Sequence, residues 1–278
     1  MNRAKGRLRR LPLYLLATVI LVIQIYPLVW VLLSSLKTPQ AFRVSTLGLP
    51  IPPTLENYGA AFASGHMPRY FLNSVIVTCA SVLMIILISG MASFAIAKLS
   101  FGLNRKVLSF FLFGIMVPVQ ITLIPLFILL NKAGLTSSYV GLILVNVGFN
   151  LPISIYLFVS FLTFLPGEVL ESAVIDGASL LRLFVSIVMP MSVNIVTTLV
   201  VLYGVQIWNE FIFAFTLTSR REYYTVPVGL RDFFGRYGSV NWTGCFAAII
   251  VTAAPTLIVY FLFNKTMIAG LTAGAVKG

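Results

Sequence analysis

The chain has 278 residues, 9% charged and 59% hydrophobic, with a mean hydropathy of +1.01. So little charge cannot cover a water-facing surface, which excludes a soluble globular domain and predicts an all-α integral membrane protein in contact with the lipid bilayer. The net charge of +12 comes from basic residues scattered at the ends of apolar runs, as membrane topology leaves them, so nucleic acid is not an expected partner.

The first ten residues form a basic arm with Arg3, Lys5, Arg7, Arg9 and Arg10. The apolar run 11–36 is too long for the core of a signal peptide and has no clear cleavage site, so it predicts a first transmembrane helix behind a retained arm. Residues 37–69 read as an external loop rich in proline (Pro50, Pro52, Pro53, Pro68). Five further uncharged runs follow, at 70–97, 107–131, 133–167, 183–209 and 237–264. Each exceeds the roughly 20 residues a helix needs to cross the hydrocarbon core. Within the fourth span, 133–138 and 164–167 must be loop. Two prolines in the third, Pro118 and Pro125, flank Gln120 and permit a kink.

Six spans place both termini on one side, and 265–278 is a C-terminal tail. With the N-terminus inside, the cytoplasmic side carries eleven of the nineteen Lys and Arg residues and the outside eight, so the arm sets the orientation. A second external loop at 220–238 carries Arg220, Arg221, Tyr223, Tyr224 and Asp232.

Enzymatic machinery is missing from the sequence. Cys79 and Cys245 lie in apolar runs as small hydrophobes, the single His66 has no metal-ligand spacing beside it, and no P-loop pattern occurs. No catalytic residue, metal site or bound cofactor is expected. Energy for any transport must come from a partner or an ion gradient.

The stretch 165–190, LPGEVLESAVIDGASLLRLFVSIVMP, mixes charge with a helix-like apolar pattern. Pro166-Gly167 breaks the preceding helix, and Glu168 and Glu171 fall in a first turn, where carboxylates offset the helix dipole. Leu170, Ala173 and Val174 give it an apolar face. Asp176-Gly177 signals a turn, and Ser179 caps a second short helix. The prediction is a bent helical hook between two spans. Its small residues Ala173, Gly177 and Ala178 allow a partner to approach the backbone.

Glu171-Ser172-Ala173, Asp176-Gly177-Ala178, Ile187 and Pro190 together resemble the "EAA…G…I.LP" loop of ABC importer permease subunits. The run is most similar to the carbohydrate-uptake, maltose-type branch. Ser172 stands where Ala is commoner, and Met189 where the pattern has Leu. The resemblance extends over about residues 20–278, through Phe71-Leu72-Asn73-Ser74, Trp208-Asn209-Glu210-Phe211, Thr225-Val226-Pro227-Val228-Gly229-Leu230 and the Gly270-Leu271-Thr272 tail. It implies a type I importer membrane domain, six transmembrane helices with the first outside a core of five at 70–264. It also implies a cytoplasmic coupling loop seated in a groove of an ATP-binding subunit, formed by Glu171, Ser172, Ala173, Asp176, Gly177, Ala178 and Pro190. The implied partners are a dimer of ATP-binding subunits holding ATP and magnesium, a second permease subunit in a heterodimer, and an extracytoplasmic solute-binding protein. The tail 270–278 resembles a segment that reaches between the ATP-binding subunits. The setting is the cytoplasmic membrane of a prokaryote, with both termini inside, and the solute a sugar or oligosaccharide.

Polar residues inside the spans are the remaining signal. Tyr203, Gln206 and Glu210 are spaced for one face of the fifth span, with Asn209 beside them, and Asn146 and Asn150 share a face of the fourth. A sugar path needs such hydrogen-bonding groups, and so does the packing of helices in lipid. Arg220 and Arg221 leave open a glycerol-phosphate-type solute. The same residues also admit an ion-coupled transporter using Glu210, or a purely structural membrane scaffold.

Overall fold

The computed structural model describes the backbone of residues 2–64, 66–99, 101–234 and 240–275, with side chains within 12–63, 66–99, 101–234 and 240–263. The expectations for the side chains of the basic arm, for Arg236, and for the tail side chains of 265–278 lie outside the described residues.

Helix α1 (Asn2–Ser35) starts inside the arm and contains Pro12 and Pro27. The segment 37–69, read as loop, in fact carries α2 (Pro39–Val44) and α3 (Glu56–Ser64). Thr38 accepts the Ala41 N–H at 3.1 Å, and Pro39 opens α2 where its missing N–H costs nothing. Helix α4 (Met67–Lys98) matches the second span.

The run 107–131 is not one rod. Helices α5 (Asn104–Ile115) and α6 (Val119–Lys132) meet at 97°. Pro118 cannot continue the hydrogen-bond ladder and becomes the N-cap of α6, whereas Pro125 stays within it. Helix α7 (Tyr139–Leu162) follows, with loops at both of its ends where expected.

The hook comprises α8 (Gly167–Ile175) and α9 (Leu180–Leu183). A π-helical turn (Phe184–Val188) and α10 (Met189–Met191) lead into α11 (Val193–Trp208). The predicted span 183–209 is therefore bent, by 75°, at Ser192. Pro190 has no N–H for the ladder, and the widened turn sits immediately before it. Helices α12 (Ile212–Leu217), α13 (Val226–Gly229) and α14 (Trp242–Ala275) complete the chain. The last span starts at Trp242 rather than 237, because Asn241 caps it by accepting the Gly244 N–H at 3.0 Å.

Among the described residues four helices are long and apolar enough to cross a membrane, and six spans result when each bent pair counts as one. Two compact units are distinguishable: 1–67 with 230–253, and 68–229 with 254–278. In the second, Ile85, Leu142, Phe158, Leu162, Leu199 and Tyr203 are almost fully buried in a common core.

Two glycines set close approaches there. A Cβ on Gly114 of α5 would stand 3.0 Å from the Pro152 ring of α7. One on Gly141 would run into the Leu135 carbonyl oxygen, a backbone atom that cannot turn aside. Gly141→Ala is thus expected to cost about 1–3 kcal/mol through overpacking. Thermal inactivation of the purified protein reads this directly, and an unchanged curve would mean that the 133–138 turn yields freely.

Candidate functional site

The hook forms as its capping residues dictate. Pro166 ends the approach, and Glu168 sits in the first turn of α8. Glu171 lies one turn further on, so the expectation that both carboxylates share the first turn is corrected: the helix starts at Gly167, and its first turn closes before Glu171. At the other end the Gly177 N–H donates to Val174 O (2.9 Å) and the Ala178 N–H to Ala173 O (3.0 Å). Gly177 has φ +81°, the left-handed conformation that glycine adopts without penalty. Ser179 then caps α9, accepting from the Arg182 N–H.

The hook's two faces differ. Leu170, Ala173 and Ala178 pack against the core of their unit. Val174, Ile175, Leu180 and Leu181 are exposed, with Ile175 at 84%. Glu171, Ser172, Asp176 and Gly177 are exposed as well. Pro190 belongs to the bend that follows rather than to this surface.

Beside the hook is a groove of about 470 Å³, lined by Phe94 and Lys98 of α4 and by Leu99 just after it, together with Leu170, Glu171 and Ile175 among others. Lys98 donates to the Leu165 carbonyl at 2.7 Å, tying the base of the hook to the end of α4. The sequence reading missed this role. Its signal was a single cation closing a long uncharged run, counted there only as a topological charge.

The intramembrane polar residues separate into two groups. Asn146 and Asn150 are buried on one face of α7, each donating back to its own helix. The Tyr203 hydroxyl donates to the Asn150 carbonyl at 3.3 Å, and Gln206 Nε2 to Asn150 Oδ1 at 3.0 Å, bracketing α11 to α7. Gln206 and Asn209 are exposed, and Asn209 donates to Thr256 Oγ1 at 3.2 Å. Glu210 does not share the Tyr203–Gln206 face. Helix α11 ends at Trp208, and the Glu210 carboxylate accepts the Phe213 and Ala214 N–H groups (2.6 and 3.0 Å), capping α12. A carboxylate bonded to the first free N–H groups of a helix offsets its positive end, so the acidic residue in the span is explained by local structure.

The other end of α4 holds the loop that runs from residue 220 to 229. Buried Asn73 donates to the Glu222 and Tyr224 carbonyls, both at 2.8 Å, and accepts from the Tyr139 hydroxyl at 2.7 Å. Ser74 Oγ accepts the Val226 N–H at 2.9 Å, and Gly229 lies against the Tyr70 ring. At about 1.5 Å per residue, the stretch of α4 from Asn73 to Lys98 separates this clamp from the base of the hook by roughly 38 Å, more than the hydrocarbon thickness. Hook and clamp therefore face opposite sides of the membrane.

Residues 89–269 match the family model described as "binding-protein-dependent transport system inner membrane component". The chain is 32% identical over 274 residues to the trehalose/maltose transport system permease protein MalG of Thermococcus litoralis, covering 98% of both chains. It is 31% identical over 257 residues to the diacetylchitobiose uptake system permease protein NgcG of Streptomyces coelicolor, covering 92% of this chain and 85% of that one. A chain of the crystal structure of a bacterial ABC transporter involved in the import of the acidic polysaccharide alginate has the same fold. It superposes with a TM-score of 0.84 at 19% identity, covering 94% of this chain and 97% of that one. With its broken apolar spans and interhelical hook, the chain belongs to the binding-protein-dependent transport system inner membrane components, the permease subunits of ABC importers.

Proposed function

We propose that this permease serves an ATP-driven importer of an oligosaccharide, and that the hook is where a partner ATPase grips it. The observation that carries the reading is the hook itself: a capped two-helix turn with exposed apolar tips and an exposed Glu171, anchored by Lys98 to a membrane-spanning helix. A rigid lever of this kind converts movement of a docked subunit into movement of α4 and α11. Glu171 and Asp176 supply polar contacts. Ser172, Ala173, Gly177 and Ala178 keep the surface low, and Pro190 shapes the bend through which the pull passes.

ATP and magnesium belong in the partner ATPase dimer. A second permease subunit and a solute-binding protein on the far side complete the assembly. The hook then faces the cytoplasm with both termini, in agreement with the excess of basic residues on that side.

The names of the relatives, trehalose/maltose and diacetylchitobiose transporters, favour a di- or oligosaccharide as solute. Gln206 and Asn209, exposed on α11 and at its end, are assigned to the sugar path. Asn146, Asn150 and Tyr203 form the buried bracket that holds them in place. A proton site at Glu210 fits less well, because both carboxylate oxygens are engaged in capping α12.

Two measurements test this. The full chain, purified from its native membrane, should bring down a P-loop ATPase. Cells carrying it should take up labelled trehalose, maltose or diacetylchitobiose in an ATP-dependent manner that survives an uncoupler. Purification without an ATPase, with uptake that collapses under the uncoupler, would replace this reading by ion coupling.

A further inference from the structure

We infer that the segment 44–55 is a membrane-interface anchor, seated among lipid headgroups with its apolar side chains in the bilayer and its polar groups folded inward around Lys37. This does not rest on what the protein transports.

The segment, VSTLGLPIPPTL, carries no charge in twelve residues. Val44, Leu47, Leu49, Ile51 and Leu55 are 66–88% exposed. Scattered exposed leucines are ordinary, but five large apolar side chains turned outward in so short a stretch are not.

On the inner side the pattern is reversed. Lys37 is only 1% exposed and donates to the Ser45 and Thr46 carbonyls at 3.1 and 2.9 Å, with its ammonium 5.8 Å from the centre of the Phe42 ring. Burial pushes that ammonium's pKa down from its ordinary value. Asn57, also buried, donates to the Ser35 and Lys37 carbonyls at 2.7 Å each, and the Thr54 N–H donates to Leu36 O at 2.9 Å. The segment is thereby tied at both ends to the end of α1, cation inside and hydrocarbon outside. A loop facing water does the opposite.

Continuity with the bilayer identifies what covers it. The apolar window of α1 within Pro12–Ser35 has none of its residues buried by the rest of the chain, and the segment is pinned where that helix ends. Trp30 donates through Nε1 to Thr46 O at 3.0 Å and packs edge-on to Phe246, which also meets Trp242. Tryptophans at the end of a span mark the headgroup level. Pro50, Pro52 and Pro53 have no N–H, so three positions place no unsatisfied donor in a water-poor layer. Exposed Arg43, whose side chain makes no hydrogen bond or ion pair among the described residues, lies in the last turn of α2 beside the segment and suits a lipid phosphate.

The test is spin-label accessibility on the full chain, with accompanying subunits, in bilayers of phosphatidylethanolamine and phosphatidylglycerol. Cys79→Ser and Cys245→Ala leave a single introduced thiol at Leu47→Cys, Leu49→Cys or Ile51→Cys. Leu21→Cys in α1 serves as the lipid control and Glu56→Cys as the water control. Labels at 47, 49 and 51 are expected to collide several-fold more with oxygen than with a water-soluble nickel chelate, as at 21. Nickel access like that at 56 overturns the anchor. Poor access to both reagents also overturns it, because a protein partner then covers the segment. Three independent positions keep the reading decisive if one variant does not fold.

Discussion

Glu171→Lys is expected to lower solute uptake at least tenfold while the chain stays in the membrane at its normal level. Glu171 is exposed on α8 and lines the groove that also holds Lys98, with no ion pair found for it among the described residues. Reversing its charge therefore removes little that the isolated chain needs for folding. It sets a second cation beside Lys98 on the surface proposed for the ATPase, where like charges are costly. A tenfold loss corresponds to about 1.4 kcal/mol, well within the reach of one misplaced interfacial charge.

Gly177→Ala tests the turn of the same hook. A Cβ at Gly177 meets nothing within 4 Å in this chain, so the internal cost is only the strain of φ +81°, about 1–2 kcal/mol for a non-glycine residue. Coupled ATPase and uptake rates in vesicles should both fall in these variants, with thermal stability changed little in Glu171→Lys and lowered by no more than that strain in Gly177→Ala. Wild-type rates in both would remove the hook from the mechanism.

How far the sequence revealed this architecture depended on whether the governing interactions were local. The hook was legible because Pro166, Gly177 and Ser179 act on their immediate neighbours, and the structure uses each as a break, a left-handed turn or a cap. The bends were not. Pro27, Pro125, Pro152 and Pro255 all lie inside helices that continue, whereas Pro118 stands at a break and starts the next helix, and only the surrounding packing separates these outcomes. Glu210 misled for the same reason: helical spacing aligned it with Gln206 on the assumption that α11 continued, and α11 ends two residues earlier. Lys37 looked like a topological charge, since nothing in the sequence shows that carbonyls eight and nine residues later fold back onto it.

The motif residues at the other end of α4 carry the second large expectation. Asn73→Ala should destabilise the protein by about 3 kcal/mol or more and open the 220–229 loop to protease. Asn73 is fully buried, and its amide satisfies two carbonyls and one hydroxyl from segments far apart in sequence. Truncation leaves those groups without this partner, at roughly 1–3 kcal/mol for each that stays buried and unsatisfied. Asn73→Asp keeps the acceptor for Tyr139 but presents a carboxylate to the Glu222 and Tyr224 carbonyls, so it should not rescue. Arg220 and Arg221 supply a built-in readout, as trypsin sites at the edge of the clamped loop. Faster cleavage there in Asn73→Ala, with α4 otherwise intact, would identify the asparagine as the fastening of this loop. Cleavage at the wild-type rate would mean that Ser74 and the close packing of Gly229 on Tyr70 hold it without Asn73. Such a fastening bears on transport, because a loop fixed to the far end of the helix that carries the hook must move with it. Any swing of α4 driven from the hook would then reach the opposite face of the membrane as a displacement of residues 222–229.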